Sequence, residues 1–200
     1  STSNPLSTQA AVTVLQNGGN AMDAAIAASA VQAVVEPEST GIGGDCFCLY
    51  SKAGSDKVIA LNGSGRAPWG LTAEWLLEQG ISEISQQSPH AVTVPTAIDA
   101  WVQLNHDYGK KSLGDLLQPA IGYAREGFPI GQRVEADFAA SRELILGDAD
   151  LSSLFLKNSE NYKMGDRFIN ENLAKTMEAI AKHGRAGFYE GWVAVDILAK

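Results

Sequence analysis

Apolar positions Leu6, Ala10, Ala11, Val14 and Leu15 recur at helical spacing between Pro5 and Gln16. A proline near the start and Asn17-Gly18-Gly19 at the end punctuate that segment, so a helix is predicted over 5–16. A second helix is predicted from Ala21 to Val35. Asn20 caps it, Asp23 sits in its first turn, and Pro37 follows its end. Its residues are mostly Ala, Val and Ile on every side, which implies a helix buried against close neighbours. Cys46–Tyr50 and Val58–Leu61 read as two short strands joined through Ala53-Gly54-Ser55-Asp56. Thr72 caps a short helix running through Leu77. The remainder is mainly helical, with helices predicted over Thr96–Tyr108, Leu113–Glu126, Val134–Leu146, Glu171–Lys182 and Trp192–Ala199. Glycine-dense loops occupy 38–45 and 62–68. No internal repeat, low-complexity tract or long linker interrupts the chain. The first helix begins almost at once and the last has no stop signal, so a piece of a longer polypeptide is expected.

Composition narrows the class. A chain of 200 residues amounts to one domain, or one domain and part of another. It is 45% hydrophobic and 19% charged, the balance of a folded globular protein. The net charge of −8 argues against non-specific nucleic-acid binding and against anionic membrane surfaces. The most apolar stretch, Ala21–Val35, is broken by Asp23, Ser29 and Gln32 and is too short to span a bilayer. Ser1-Thr2-Ser3-Asn4-Pro5 has no basic segment followed by an apolar one. That favours the cytoplasm, with a periplasmic or secreted location following if a signal peptide has been removed.

Candidate chemistry is sparse. His90, His106 and His183 form no metal-binding arrangement and read as structural, His183 beside the helix-ending Gly184. Cys46 and Cys48 alternate on one strand, face the same side, and read as buried free thiols rather than a redox pair. Gly41-Ile42-Gly43-Gly44 lacks the Lys-Ser/Thr of a Walker loop and precedes a strand rather than a helix. Gly63-Ser64-Gly65 is not a nucleophile elbow, since no His and Asp partners stand out. Glu36 and Glu38 flank Pro37 and are expected to cap or solvate a turn. Arg66 draws the most interest. A guanidinium on a glycine-rich loop either grips a carboxylate bidentately or ties down loop carbonyls.

The order of short blocks resembles the gamma-glutamyltransferase family of N-terminal nucleophile hydrolases. The blocks are Leu15-Gln16-Asn17-Gly18-Gly19-Asn20-Ala21-Met22-Asp23-Ala24-Ala25, Val34-Val35-Glu36-Pro37 with Gly41-Ile42-Gly43-Gly44, and Leu61-Asn62-Gly63 with Ala67-Pro68. They continue with Ala91-Val92-Thr93-Val94-Pro95, Gln118-Pro119-Ala120 to Glu126-Gly127-Phe128, Asn172-Leu173-Ala174-Lys175-Thr176 and Gly187-Phe188-Tyr189-Glu190-Gly191. The resemblance implies an α+β fold, the αββα sandwich of that class, with residues 1–200 as the N-terminal, mostly helical part of the large subunit carrying a short β-hairpin. It implies a precursor that cleaves itself at a threonine, which then opens the small subunit and attacks an amide.

None of Thr2, Thr13, Thr40, Thr72, Thr93, Thr96 or Thr176 lies in the Thr-Thr-His stretch of that subunit. The nucleophile is therefore expected on a partner small subunit, and this chain alone is expected to be inactive. No metal or organic cofactor is implied. Substrate binding falls to Arg66, with Ser64 and Asn62 behind it. Glutamyl-transferring members read Arg-Glu-x-Ala-Pro where this chain reads Ser64-Gly65-Arg66-Ala67-Pro68. Asp45 stands where many members have another glycine. Both departures point to a gamma-glutamyltransferase-like, cephalosporin-acylase-like subgroup acting on a small-molecule amide. A non-catalytic relative that keeps the fold, and a redox sensor using Cys46 and Cys48, are the competing readings.

Overall fold

The helix Pro5–Gln16 (α1) starts where the Asn4 side chain accepts the Leu6 amide. The helix Ala21–Val35 (α2) starts on a reciprocal capping box, in which Asn20 and Asp23 each accept the other's backbone amide. The chain continues through strands Cys46–Ser51 (β1) and Val58–Gly63 (β2), and helices Ala73–Glu78 (α3), Ala97–Tyr108 (α4) and Leu113–Glu126 (α5). Strand Phe128–Pro129 (β3) leads to helices Gln132–Ala140 (α6), Arg142–Leu146 (α7) and Ala149–Phe155 (α8). Strands Leu156–Lys157 (β4), Glu160–Asn161 (β5) and Arg167–Phe168 (β6) precede helices Glu171–His183 (α9), Ala186–Tyr189 (α10) and Gly191–Leu198 (α11). This computed structural model describes residues 1–85 and 87–199. The mostly helical chain with short antiparallel hairpins matches the expected α+β class.

The chain divides into two compact units without a linker: Ser1–Gly41 together with the residues from Leu104 onward, and Ile42–Gln103. In the first, α2 packs on α1 and α5, and α5 packs on α9. Ala27, Ala30, Val31 and Val35 of α2 are fully buried, as the all-round apolar pattern predicts. The Ser7 hydroxyl of α1 is also buried and donates to the Ala28 carbonyl at 2.6 Å. Asp23 is fully buried. Its carboxylate accepts the amides of Asn20 at 2.9 Å, Lys110 at 2.9 Å and Lys111 at 3.2 Å. One side chain thereby ties the α1–α2 turn to the α4–α5 turn. Phe128, Phe138, Phe155, Tyr162 and Phe168 form an aromatic cluster that holds α6, α8 and the small β3–β6 pair.

Three expectations need correction. The helix predicted over 134–146 is two helices, broken at Ser141, where the backbone leaves helical geometry at φ −91° and ψ 7°. Just past the break, the Arg142 guanidinium is drawn to Asn161 at 2.7 Å and to the Ser159 carbonyl. Of the two roles expected for Glu36, it takes the capping one, closing α2 and accepting the Ser39 and Thr40 amides on its carbonyl, and it is not solvated. It is only 9% exposed and accepts the Ser3 hydroxyl at 2.7 Å and the Gln32 amide. Cys46 and Cys48 share one face of β1, as the alternation predicts, but both are half-buried rather than buried. A two-stranded sheet gives them only partial cover. Burial still pushes both thiols up, which lowers their thiolate content and their reactivity.

Candidate functional site

The second unit is built around the β1–β2 hairpin, paired antiparallel with Cys46 opposite Gly63, Phe47 opposite Asn62 and Leu49 opposite Ala60. One face carries Cys46 and Cys48. The other exposes Phe47, Leu49 and Val58, with Leu49 78% exposed. The end of β2 and the loop leaving it hold all three residues singled out for substrate binding, Asn62 within the strand and Ser64 and Arg66 beyond it. All three are exposed. The structure thus brings them together on one short segment, beside Trp69, which is 95% exposed.

That loop is fixed through its backbone. The Asn62 side chain accepts the Ser64 amide at 3.0 Å, a local turn of the kind asparagine favours. The Asp45 carboxylate accepts the Gly65 amide at 2.9 Å. The Arg66 carbonyl accepts the Val94 amide at 3.0 Å. Gly65 lies so close to segment 92–96 that a Cβ there would sit 2.1 Å from the Val94 carbonyl oxygen. Only glycine permits that approach. The same segment reaches the Gly41–Gly44 loop, because the Thr96 and Ala97 amides donate to the Gly44 carbonyl at 3.0 and 2.9 Å. Thr96 also donates its hydroxyl to the Gly63 carbonyl. Three blocks that are separate in sequence, 41–45, 62–68 and 91–97, therefore form one hydrogen-bonded platform.

No ion pair engages the Arg66 guanidinium among the described residues. A planar cation on an immobilised, exposed backbone suits bidentate contact with a carboxylate. Asn62 instead commits its carbonyl oxygen to shaping the loop. The three histidines lie elsewhere in the chain. His106 pairs with its neighbour Asp107 at 2.8 Å, and His90 packs edge-on against Trp75. Among the described residues, no group of three or more His, Cys, Asp or Glu could hold a metal ion. Sequence reasoning marked Asp45 only as a departure from a glycine and passed over the contacts made by Thr93 and Val94. A short acidic side chain after two glycines, able to accept a nearby amide, was the available signal.

The chain is similar to known proteins along nearly its whole length. The sequence profile of gamma-glutamyltranspeptidase matches residues 7–200. The glutathione hydrolase-like YwrD proenzyme of Bacillus subtilis is 37% identical over 195 residues, which cover 97% of this chain and 37% of the relative. The chain therefore spans little more than a third of that relative's length. The crystal structure of Helicobacter pylori gamma-glutamyltranspeptidase superposes with a TM-score of 0.93 at 34% identity, over 98% of this chain and 57% of that one. The cephalosporin acylase of Bacillus halodurans superposes with a TM-score of 0.91 at 36% identity, over 98% of this chain and 38% of that one. Both glycine-rich loops and the 91–97 segment that joins them fall inside the matched residues. By sequence across almost its whole length, and by fold, the chain belongs to the gamma-glutamyltranspeptidase family.

Proposed function

We propose that the chain is the N-terminal part of the large subunit of an autoprocessed amidohydrolase or acyltransferase. A threonine at the start of a partner small subunit attacks an amide, and the acyl group passes to water or an amine. The chain's own contribution is substrate binding. Arg66 holds a carboxylate of the acyl donor, with Ser64 and Asn62 shaping the same pocket edge. The single observation that carries this reading is the close superposition of nearly the whole chain on both a gamma-glutamyltranspeptidase and a cephalosporin acylase. With Ser64 where glutamyl-transferring members keep their arginine, the substrate is a small amide bearing a carboxylate that Arg66 reaches by a different path. No described helix is long and apolar enough to cross a membrane.

The test is intact mass and N-terminal sequencing of the protein expressed from its complete gene. A second, smaller chain beginning with threonine is expected. A single unprocessed chain overturns the proposal and favours a non-catalytic relative that keeps the fold.

A further inference from the structure

We infer that Asp45 is a positioning residue for substrate recognition, acting through the backbone of the loop that presents Arg66. The inference rests on the proposed role of Arg66. Three consecutive residues of that loop are each held by one backbone contact. Ser64 is held through its amide by Asn62, Gly65 through its amide by Asp45, and Arg66 through its carbonyl by the Val94 amide. The three contacts differ in reach. Asn62 is two residues from its partner and only shapes the local turn. Val94 fixes the far side of the loop. Asp45 lies 20 residues away, directly before β1, and its side chain reaches from the end of the glycine-rich loop to the loop of Arg66.

The physical reason for an acid at this position follows from the chemistry. A carboxylate accepting an amide makes a charge-assisted hydrogen bond, shorter and stronger than a neutral one. Gly65 has no side chain with which to hold its own conformation. Contact with segment 93–94 forbids a larger residue there. An outside acceptor is therefore the available means of fixing its amide. Asp45 is itself exposed and has no ion-pair partner among the described residues. Its carboxylate is not part of a larger stabilising network, so removing it leaves the surrounding packing in place. Its effect is to restrict where the Arg66 guanidinium starts from, which lowers the ordering cost of gripping a substrate carboxylate.

The experiment uses the full-length processed protein with glutathione as the probe substrate. The variants are Asp45→Ala, Asp45→Asn, Arg66→Ala and the Asp45→Ala/Arg66→Ala double. Exchange of the Gly65 amide with solvent deuterium is followed by NMR in the same variants. The expected result is a KM raised about tenfold in Asp45→Ala with kcat changed far less. Asp45→Asn, which keeps an acceptor oxygen, recovers most of the affinity. The double variant is no worse than Arg66→Ala alone, because both act through one guanidinium. The Gly65 amide exchanges faster in Asp45→Ala and stays protected in Asp45→Asn.

An Asp45→Ala enzyme with unchanged KM, beside an Arg66→Ala enzyme with raised KM, overturns the inference and leaves the Arg66 reading standing. An unchanged KM in Arg66→Ala overturns the Arg66 reading, and the inference with it. If the wild type does not hydrolyse glutathione, the exchange measurement decides alone. An unaltered Gly65 amide in Asp45→Ala then overturns the Asp45 contact.

Discussion

Asp23 and Asp45 perform the same elementary act in different surroundings. Each carboxylate accepts backbone amides from a distant part of the chain. Asp23 does so with no exposure to solvent, gathering three amides at the junction of two helical turns. Asp45 does so in the open and holds a single amide. Burial decides the consequence. Removing the wholly buried Asp23 side chain loses three part-buried hydrogen bonds at once and leaves a space that packing had filled, so Asp23 is a determinant of stability. An exposed amide is rescued by solvent, so Asp45 changes where a loop sits and hardly changes whether the protein folds.

The largest expected effect is that of Asp23→Ala. It removes the shared acceptor of the Asn20, Lys110 and Lys111 amides together with a fully buried side chain, and should cost roughly 3 kcal/mol. Urea unfolding of the full-length protein measures it. A midpoint close to that of the wild type would erase the distinction between the two aspartates. Next comes Gly65→Ala. Its new Cβ meets the Val94 carbonyl oxygen at 2.1 Å, so the loop must shift and carry Arg66 with it. A loss of about a hundredfold in kcat/KM is expected, with a loss of stability smaller than that of Asp23→Ala. A variant that unfolds instead would show that this platform is as structural as the Asp23 junction.

Glu38→Gln gives the smallest effect. Burial pushes the Glu38 carboxyl above its ordinary value, and the neighbouring Glu36 and Asp137 carboxylates add to the shift. One of its oxygens is buried with no hydrogen-bond partner among the described residues. A raised folded-state pKa favours the neutral acid in the fold. That contribution is complete below the unfolded carboxylate value and is lost as pH rises through the folded one. Glu38→Gln, neutral at every pH, should therefore unfold at a higher temperature than the wild type near neutrality. The difference should vanish below the ordinary carboxylate range. Thermal melts across that range would show it, and a gap independent of pH would contradict it.

Much of this architecture could be read from residue patterns. The Asn20–Asp23 capping box, the Ala-rich α2 and the hairpin around Gly54 all follow from local rules, and the structure places them where those rules do. The family resemblance marked Asn62 at the end of β2 and Ser64 and Arg66 in the loop after it. The errors share one cause. The break at Ser141, the burial of Glu36 and the tie from Asp45 to Gly65 depend on partners many residues away. Arg142 meets Asn161, Glu36 meets Ser3, and Asp45 meets Gly65. Periodicity carries no information about such pairings. The half-buried state of Cys46 and Cys48 escaped for a related reason, since alternation gives the face but not how much of it is covered.

The alanines of α2 also set its mutational history. Ala24, Ala27, Ala28, Ala30 and Ala33 are all buried along one helix that packs on both α1 and α5. One nucleotide transition turns an alanine codon into one for valine or threonine, and both are bulkier and β-branched. At these positions either residue intrudes on a neighbouring helix and stiffens against its own preceding turn. In a deep mutational library of the whole gene, this stretch should appear as a nearly empty band. The commonest replacements of alanine would be among the first to disappear under selection.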